Sequence, residues 1–160
     1  MRALPTSAGL VDNLVAVVTS RLLDPLEIVL DDGVLDDGDL VDALRARVVL
    51  KAKGWAAEML GDDDYVAGRA AYRLIAALYP GDEPFDPPAQ WWLTPLGQVV
   101  AQRVGFPGLE GVSVPVAAAM LGVSRQFVHD LMKRGKLDRS VDGTVSVASI
   151  RARINERNAG

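Results

Sequence analysis

The sequence predicts a mainly α-helical protein with one short β-hairpin near its C-terminus. Three observations predict it. Apolar residues recur at three- and four-residue spacing through most of the chain, Gly, Pro and Asp collect in a few breaks, and strand-like alternation is found only after residue 137. With 160 residues, 49% of them hydrophobic, the chain has material for a core.

Leu10, Leu14, Val17, Val18 and Leu22 form an apolar stripe that predicts a first helix over about 8–23, which Asp24-Pro25 is expected to end. Residues 31–39 are rich in Asp and Gly and read as a loop, with Asp39 as the cap of the next helix. Leu40, Leu44, Val48, Trp55 and Met59 support a long helix over 40–60, with Gly54 a weak point and Gly61 the stop. Val66, Ala70, Leu74, Ala77 and Leu78 predict a third helix over 64–78, and Asp62, Asp63 and Asp64 suit its N-terminus. Four prolines between Pro80 and Gln90 mark an extended connector. Trp91 and Trp92 follow it and suit a core more than a dimer contact. Thr94-Pro95 then starts a helix that ends near Gly105. Residues 1–110 therefore read as a helical bundle.

The segment from Val114 to Lys133 places a small or apolar residue wherever two crossing helices need one. Ala118 permits close approach, Gly122 a turn with positive φ, and Leu121, Val123, Val128 and Leu131 point inward. Ser124 is positioned to cap the second of these helices. That helix would expose Arg125, Gln126, His129, Lys133 and, at its edge, Asp130, and it stops at Gly135 between Arg134 and Lys136. Asp142-Gly143, flanked by Val141, Val145 and Val147, predicts a hairpin with a two-residue turn over 137–147. A closing helix over about 148–156 returns Ile150 and Ile154 to the core and turns Arg151, Arg153 and Arg157 outward.

Charge divides along the same boundary. Residues 1–110 carry nine Lys and Arg against 17 Asp and Glu, net −8; residues 111–160 carry eight against four, net +4. Such asymmetry points to a nucleic-acid-facing segment joined to an acidic one. The chain therefore divides into an acidic helical domain, residues 1–110, for self-association or partner binding, and a DNA-binding domain, residues 111–160.

From Val112 to Ile154 the sequence resembles the excisionase and MerR-like winged helix-turn-helix families of bacteria and their phages. The resemblance rests on Val112-Ser113-Val114-Pro115, on the run Ala117 to Arg125, on Val128 and Leu131, on Arg134-Gly135-Lys136-Leu137, and on the short hairpin and closing helix. It covers about a quarter of the chain. What it implies is sequence-specific binding of double-stranded DNA, with the second helix in the major groove and the hairpin, as a wing, on the adjacent backbone or minor groove. The implied contact residues are Ser124, Arg125, Gln126, His129, Lys133, Arg134, Lys136, Arg139 and Thr144. The wing departs from the Arg-rich wings frequent in these families, offering Arg139 beside Asp138 and Asp142.

With these readings the sequence predicts a bacterial or phage transcriptional regulator, a repressor, acting as a homodimer on paired half-sites in the cytoplasm, at the nucleoid. Two other roles stay open: an excisionase that bends DNA for a recombinase, and an antitoxin or adaptor whose acidic segment grips a protein partner. No cysteine is present, which removes disulfides, zinc fingers and thiol nucleophiles. A single histidine removes multi-histidine metal sites, and the carboxylates at 31–39 and 62–64 lack the ligand spacing of a calcium loop. No catalytic set or phosphate loop stands out, so neither an enzyme nor a cofactor is expected. No signal peptide and no membrane-spanning run of ~20 apolar residues is read.

Overall fold

The computed structural model describes residues 4–30, 38–81 and 83–159. The elements are α1 (Ser7–Val18), α2 (Asp24–Leu30), α3 (Gly38–Leu60), α4 (Asp64–Leu78), α5 (Pro95–Arg103), β1 (Gly111–Val112), α6 (Val114–Leu121), α7 (Arg125–Lys133), β2 (Val145–Ser146) and α8 (Val147–Asn158). The protein is mainly helical with one small antiparallel sheet. Among the described residues no helix is long and apolar enough to cross a membrane.

Local chemistry explains most helix ends. Thr6 caps α1 by accepting from the Gly9 N–H. Asp63 caps α4 by accepting from the Tyr65 and Val66 amides at 3.0 Å. At α5 the Thr94 hydroxyl accepts from the Gly97 N–H, Pro95 opens the helix, and Asn13 of α1 accepts from the Leu96 N–H at 2.9 Å. The predicted stop at Asp24-Pro25 does not occur. A π-helical turn, Thr19–Leu23, widens the helix so that the Asp24 N–H reaches back five residues to Thr19, and Pro25 enters the first turn of α2, where its missing N–H is not needed. Of the loop expected over 31–39, residues 31–37 lie outside the described residues, and the last two belong to α3, which begins at Gly38, one residue before the expected cap Asp39.

Burial corrects several inward assignments. In α4 the buried positions are Ala67, Ala70, Ala71, Leu74, Ile75 and Leu78, while Val66 and Ala77 face solvent. In α3 Val41, Ala52, Ala56 and Met59 turn inward and Leu40 is exposed. Small residues at the α3 and α4 contacts allow close approach that a count of large apolar residues overlooks. The expected division at 110/111 falls between α5 and β1, and the apolar core is continuous across it, from Leu10 and Leu14 to Ile150 and Ile154.

The connector packs rather than spans. Phe85, Trp91, Trp92 and Phe106 meet at ring separations of 4.9–6.2 Å, mostly edge to face, and Tyr79 closes one side with its hydroxyl accepting from the Trp91 indole N–H at 2.7 Å. Trp92, in a 3₁₀ turn over Ala89–Leu93, is fully buried, as a core reading of the tryptophan pair requires. Gln98 is buried beneath it, its amide donating to the Trp92 carbonyl and, at 3.3 Å, to the Ala119 carbonyl of α6. This places α6 on the connector, and with it α7.

Gly97 sits where α5 touches this turn. A Cβ there would come within 2.2 Å of the Trp91 carbonyl oxygen and 2.8 Å of the Trp92 Cα, both backbone. Gly97→Ala is expected to destabilise the fold by about 2 kcal/mol or more in urea unfolding, the scale of forced overpacking. Gly54→Ala, in an exposed helical position with nothing within 4 Å, is expected to stabilise by ~0.5–1 kcal/mol. Equal effects at the two positions would contradict the packing.

Candidate nucleic-acid interface

Two turns set the geometry of α6 and α7. Gly122 adopts φ +65°, and the α6 carbonyls of Ala118 and Ala119 accept from the Val123 and Gly122 amides at 2.9 and 3.1 Å. This double closure reverses the chain within three residues and requires a left-handed residue where side chains are disfavoured. The same closure ends α7, with the Lys136 and Gly135 amides donating to the Leu131 and Met132 carbonyls at 2.8 and 3.1 Å. Ser124 caps α7, its hydroxyl accepting from the Phe127 N–H at 3.1 Å. The first amides of α7, at Arg125 and Gln126, have no acceptor among the described residues.

Val128 and Leu131 anchor one side of α7 in the core. At 3.6 residues per turn, Arg125, Gln126, His129 and Lys133 share roughly a 100° arc away from that anchor, and all four are exposed. Gln126 donates to Asp130 one turn on, at 3.3 Å. Arg134, Lys136 and Arg139 follow α7 and are also exposed. None of Arg125, Lys133, Arg134, Lys136 and Arg139 has an ion-pair partner among the described residues.

The segment after α7 differs from the expected hairpin. Val145 and Ser146 pair with Val112 and Gly111 of β1, a strand that the sequence does not announce because two residues carry no alternation. The predicted partner strand is reduced to one bridge, Arg139 to Val145. The Asp142-Gly143 pair is not a two-residue loop. The Gly143 N–H bonds to the Ser140 carbonyl at 3.0 Å, so Val141 and Asp142 form the turn, Gly143 follows at φ +84°, and the Ser140 amide bonds to the Thr144 carbonyl at 2.7 Å. This three-residue connection with a glycine bulge leaves Val141 fully exposed at the tip.

Thr144 does not join the exposed set. It lies over Gly111, where a side chain would not fit, and its hydroxyl donates to Asp142 at 2.5 Å. The Thr144 hydroxyl, then its amide, hold the Asp142 carboxyl below its ordinary value. Arg151, Arg153 and Arg157 are corrected as well. Arg151 donates to the Gln102 carbonyl of α5 at 2.8 Å, Arg157 to the Leu121 carbonyl of α6 at 3.2 Å, and Arg153 pairs with Glu156. Burial, and then the Arg153 charge, lower the Arg157 pKa. Helix C-terminal carbonyls lacking intrahelical partners draw the Arg151 and Arg157 guanidiniums inward, which an outward-facing spacing rule does not register.

Two tests follow from the geometry. Ser124→Ala is expected to lower stability by about 1 kcal/mol in urea unfolding, the usual value of an N-cap. Because the Asp142 pKa is depressed in the fold, its contribution to the hairpin tip is present at neutral pH and is lost as pH falls through the folded value. The Thr144 amide resonance should therefore follow an acid titration that Asp142→Asn abolishes; a resonance unmoved by acid would contradict the contact.

Comparison with family models, curated proteins and solved structures returns no match to this chain.

Proposed function

We propose that the protein is a sequence-specific double-stranded DNA-binding protein, a transcriptional repressor in which α6 and α7 form a helix-turn-helix, the 138–146 segment acts as a wing, and α7 enters the major groove. The observation that carries this reading is the exposed arc of Arg125, Gln126, His129 and Lys133 on a capped helix whose opposite side is locked into the core. A helix fits the major groove, which is ~12 Å wide, and bidentate Arg–guanine and Gln–adenine pairs are the contacts such side chains make there. The open amides at the start of α7 suit a phosphate. Lys133, Arg134, Lys136 and Arg139 supply further backbone contacts, with no ion-pair partner among the described residues. Thr144 is committed to Asp142 and contributes through the shape of the tip.

Selection of bound duplexes from a random pool at physiological salt tests the proposal, with an enriched motif as the expected outcome. Arg125→Ala and Gln126→Ala should flatten that preference, by ~1–3 kcal/mol for each lost bidentate contact. Lys133→Ala and Lys136→Ala should weaken every sequence alike and lower the salt slope by about one unit each. No enrichment would overturn the proposal, and a motif unaffected by Arg125→Ala would displace α7 from the reading position.

A further inference from the structure

In the acidic part of the chain Arg21, Arg45 and Arg103 tie elements together through carbonyls and carboxylates. Arg69 and Arg73 of α4 do not. Both are exposed, and neither has a hydrogen-bond or ion-pair partner among the described residues. At 3.6 residues per turn they share roughly a 120° arc of α4 with Tyr65, Val66 and Tyr72, all of them exposed. The two tyrosines are 74% and 58% exposed. Residues 1–110 hold 17 acids against nine bases, yet α4 carries no acid after Asp64, which is paired with Arg103. Along this face runs a hollow of about 260 Å³ lined by Tyr65, Val66, Arg69, Ala70 and Arg73 and, from α3, by Glu58; Ala70 is buried beneath it.

We infer that this face of α4 docks an acidic segment of another protein, with one apolar side chain entering the hollow and carboxylates meeting Arg69 and Arg73. Charge complementarity is the first argument. Two guanidiniums one helical turn apart, with their planar donors open, match a pair of carboxylates, and covering them without acids would leave both charges unpaired. Residue type is the second. Tyr and Arg are enriched at the points that dominate the binding energy of protein interfaces, since they combine large contact area with directed donors. Size is the third. The hollow is smaller than the ~300–1,000 Å³ of small-molecule pockets and suits a single side chain. A nucleic acid strand fits the face less well. Glu58 lines the hollow and the exposed Asp62 and Asp63 precede α4, so a strand charged at every phosphate would run against them. A protein segment can place its acids at Arg69 and Arg73 alone.

The test is selection from a displayed library of random peptides, followed by fluorescence polarisation with the most enriched peptide. The bait is the full chain carrying Arg125→Ala and Lys133→Ala, so that α7 does not capture the acids. Enriched peptides are expected to hold acids on both sides of one large apolar residue. Arg69→Glu with Arg73→Glu should weaken binding of that peptide by roughly tenfold or more. Tyr65→Ala with Tyr72→Ala should weaken it by about fivefold or more, with circular dichroism checking that helicity is kept in both pairs. No enrichment, a basic consensus, or binding indifferent to both pairs of variants would overturn the inference. So would a labelled single-stranded oligonucleotide that binds the same bait and is released by Arg69→Glu with Arg73→Glu, since that assigns the face to nucleic acid. The result is independent of the DNA reading: failure here leaves duplex selection by the unsubstituted chain untouched, and failure of that selection leaves peptide binding untouched.

Discussion

Helix C-termini end in carbonyls without intrahelical donors, and in this protein four arginines satisfy them across the chain. Arg21, in the π-helical turn, donates to the Leu78 carbonyl at the end of α4 and lies 4.0 Å from the Tyr79 ring centre. Arg103, the last residue of α5, reaches the Met59 and Gly61 carbonyls at the end of α3 and pairs with Asp64. Arg151 and Arg157 do the same from α8 for α5 and α6. Each contact joins elements far apart in sequence, so together they link the π-helical turn to the last helix. The guanidinium suits the task because its several donors lie in one plane and it stays charged. The negative end of each helix dipole adds to the attraction.

This constraint reshapes the electrostatics of the C-terminal third. Its net charge of +4 counts eight cations, but Arg151, Arg153 and Arg157 are engaged by carbonyls or by Glu156. The five that remain available lie on α7 and in the residues just after it. The cations of this third that have neither a hydrogen-bond nor an ion-pair partner among the described residues therefore lie on one helix and its exit turn.

The orientation of α7 depends in turn on packing from both sides. Gln98 ties the end of α6 to the aromatic cluster at Trp92, and Arg157 ties the same end to α8. The β1–β2 pair and the Val147 amide, which donates to the Glu110 carbonyl at 2.8 Å, hold the start of α8 beside the loop that leaves α5. A helix held at its base by a continuous core has its backbone position fixed.

Sequence alone determined the features that depend on neighbours a few residues apart. The Ser124 and Thr94 caps, the turns at Gly122 and Gly135, the span of α4 and the exposed arc of α7 all follow from spacing within one or two helical turns, and the structure agrees with them. Tertiary structure decided the rest. The pairing of Gly111 and Val112 with Ser146 and Val145, the inward turn of Arg151 and Arg157, and the exposure of Leu40 and Val66 depend on groups that lie dozens of residues away or on which side of a helix finds a neighbour. The physical reason is that a cap or a turn closes its hydrogen bonds locally, whereas a guanidinium, a two-residue strand or an apolar side chain takes the partner that the completed fold brings to it.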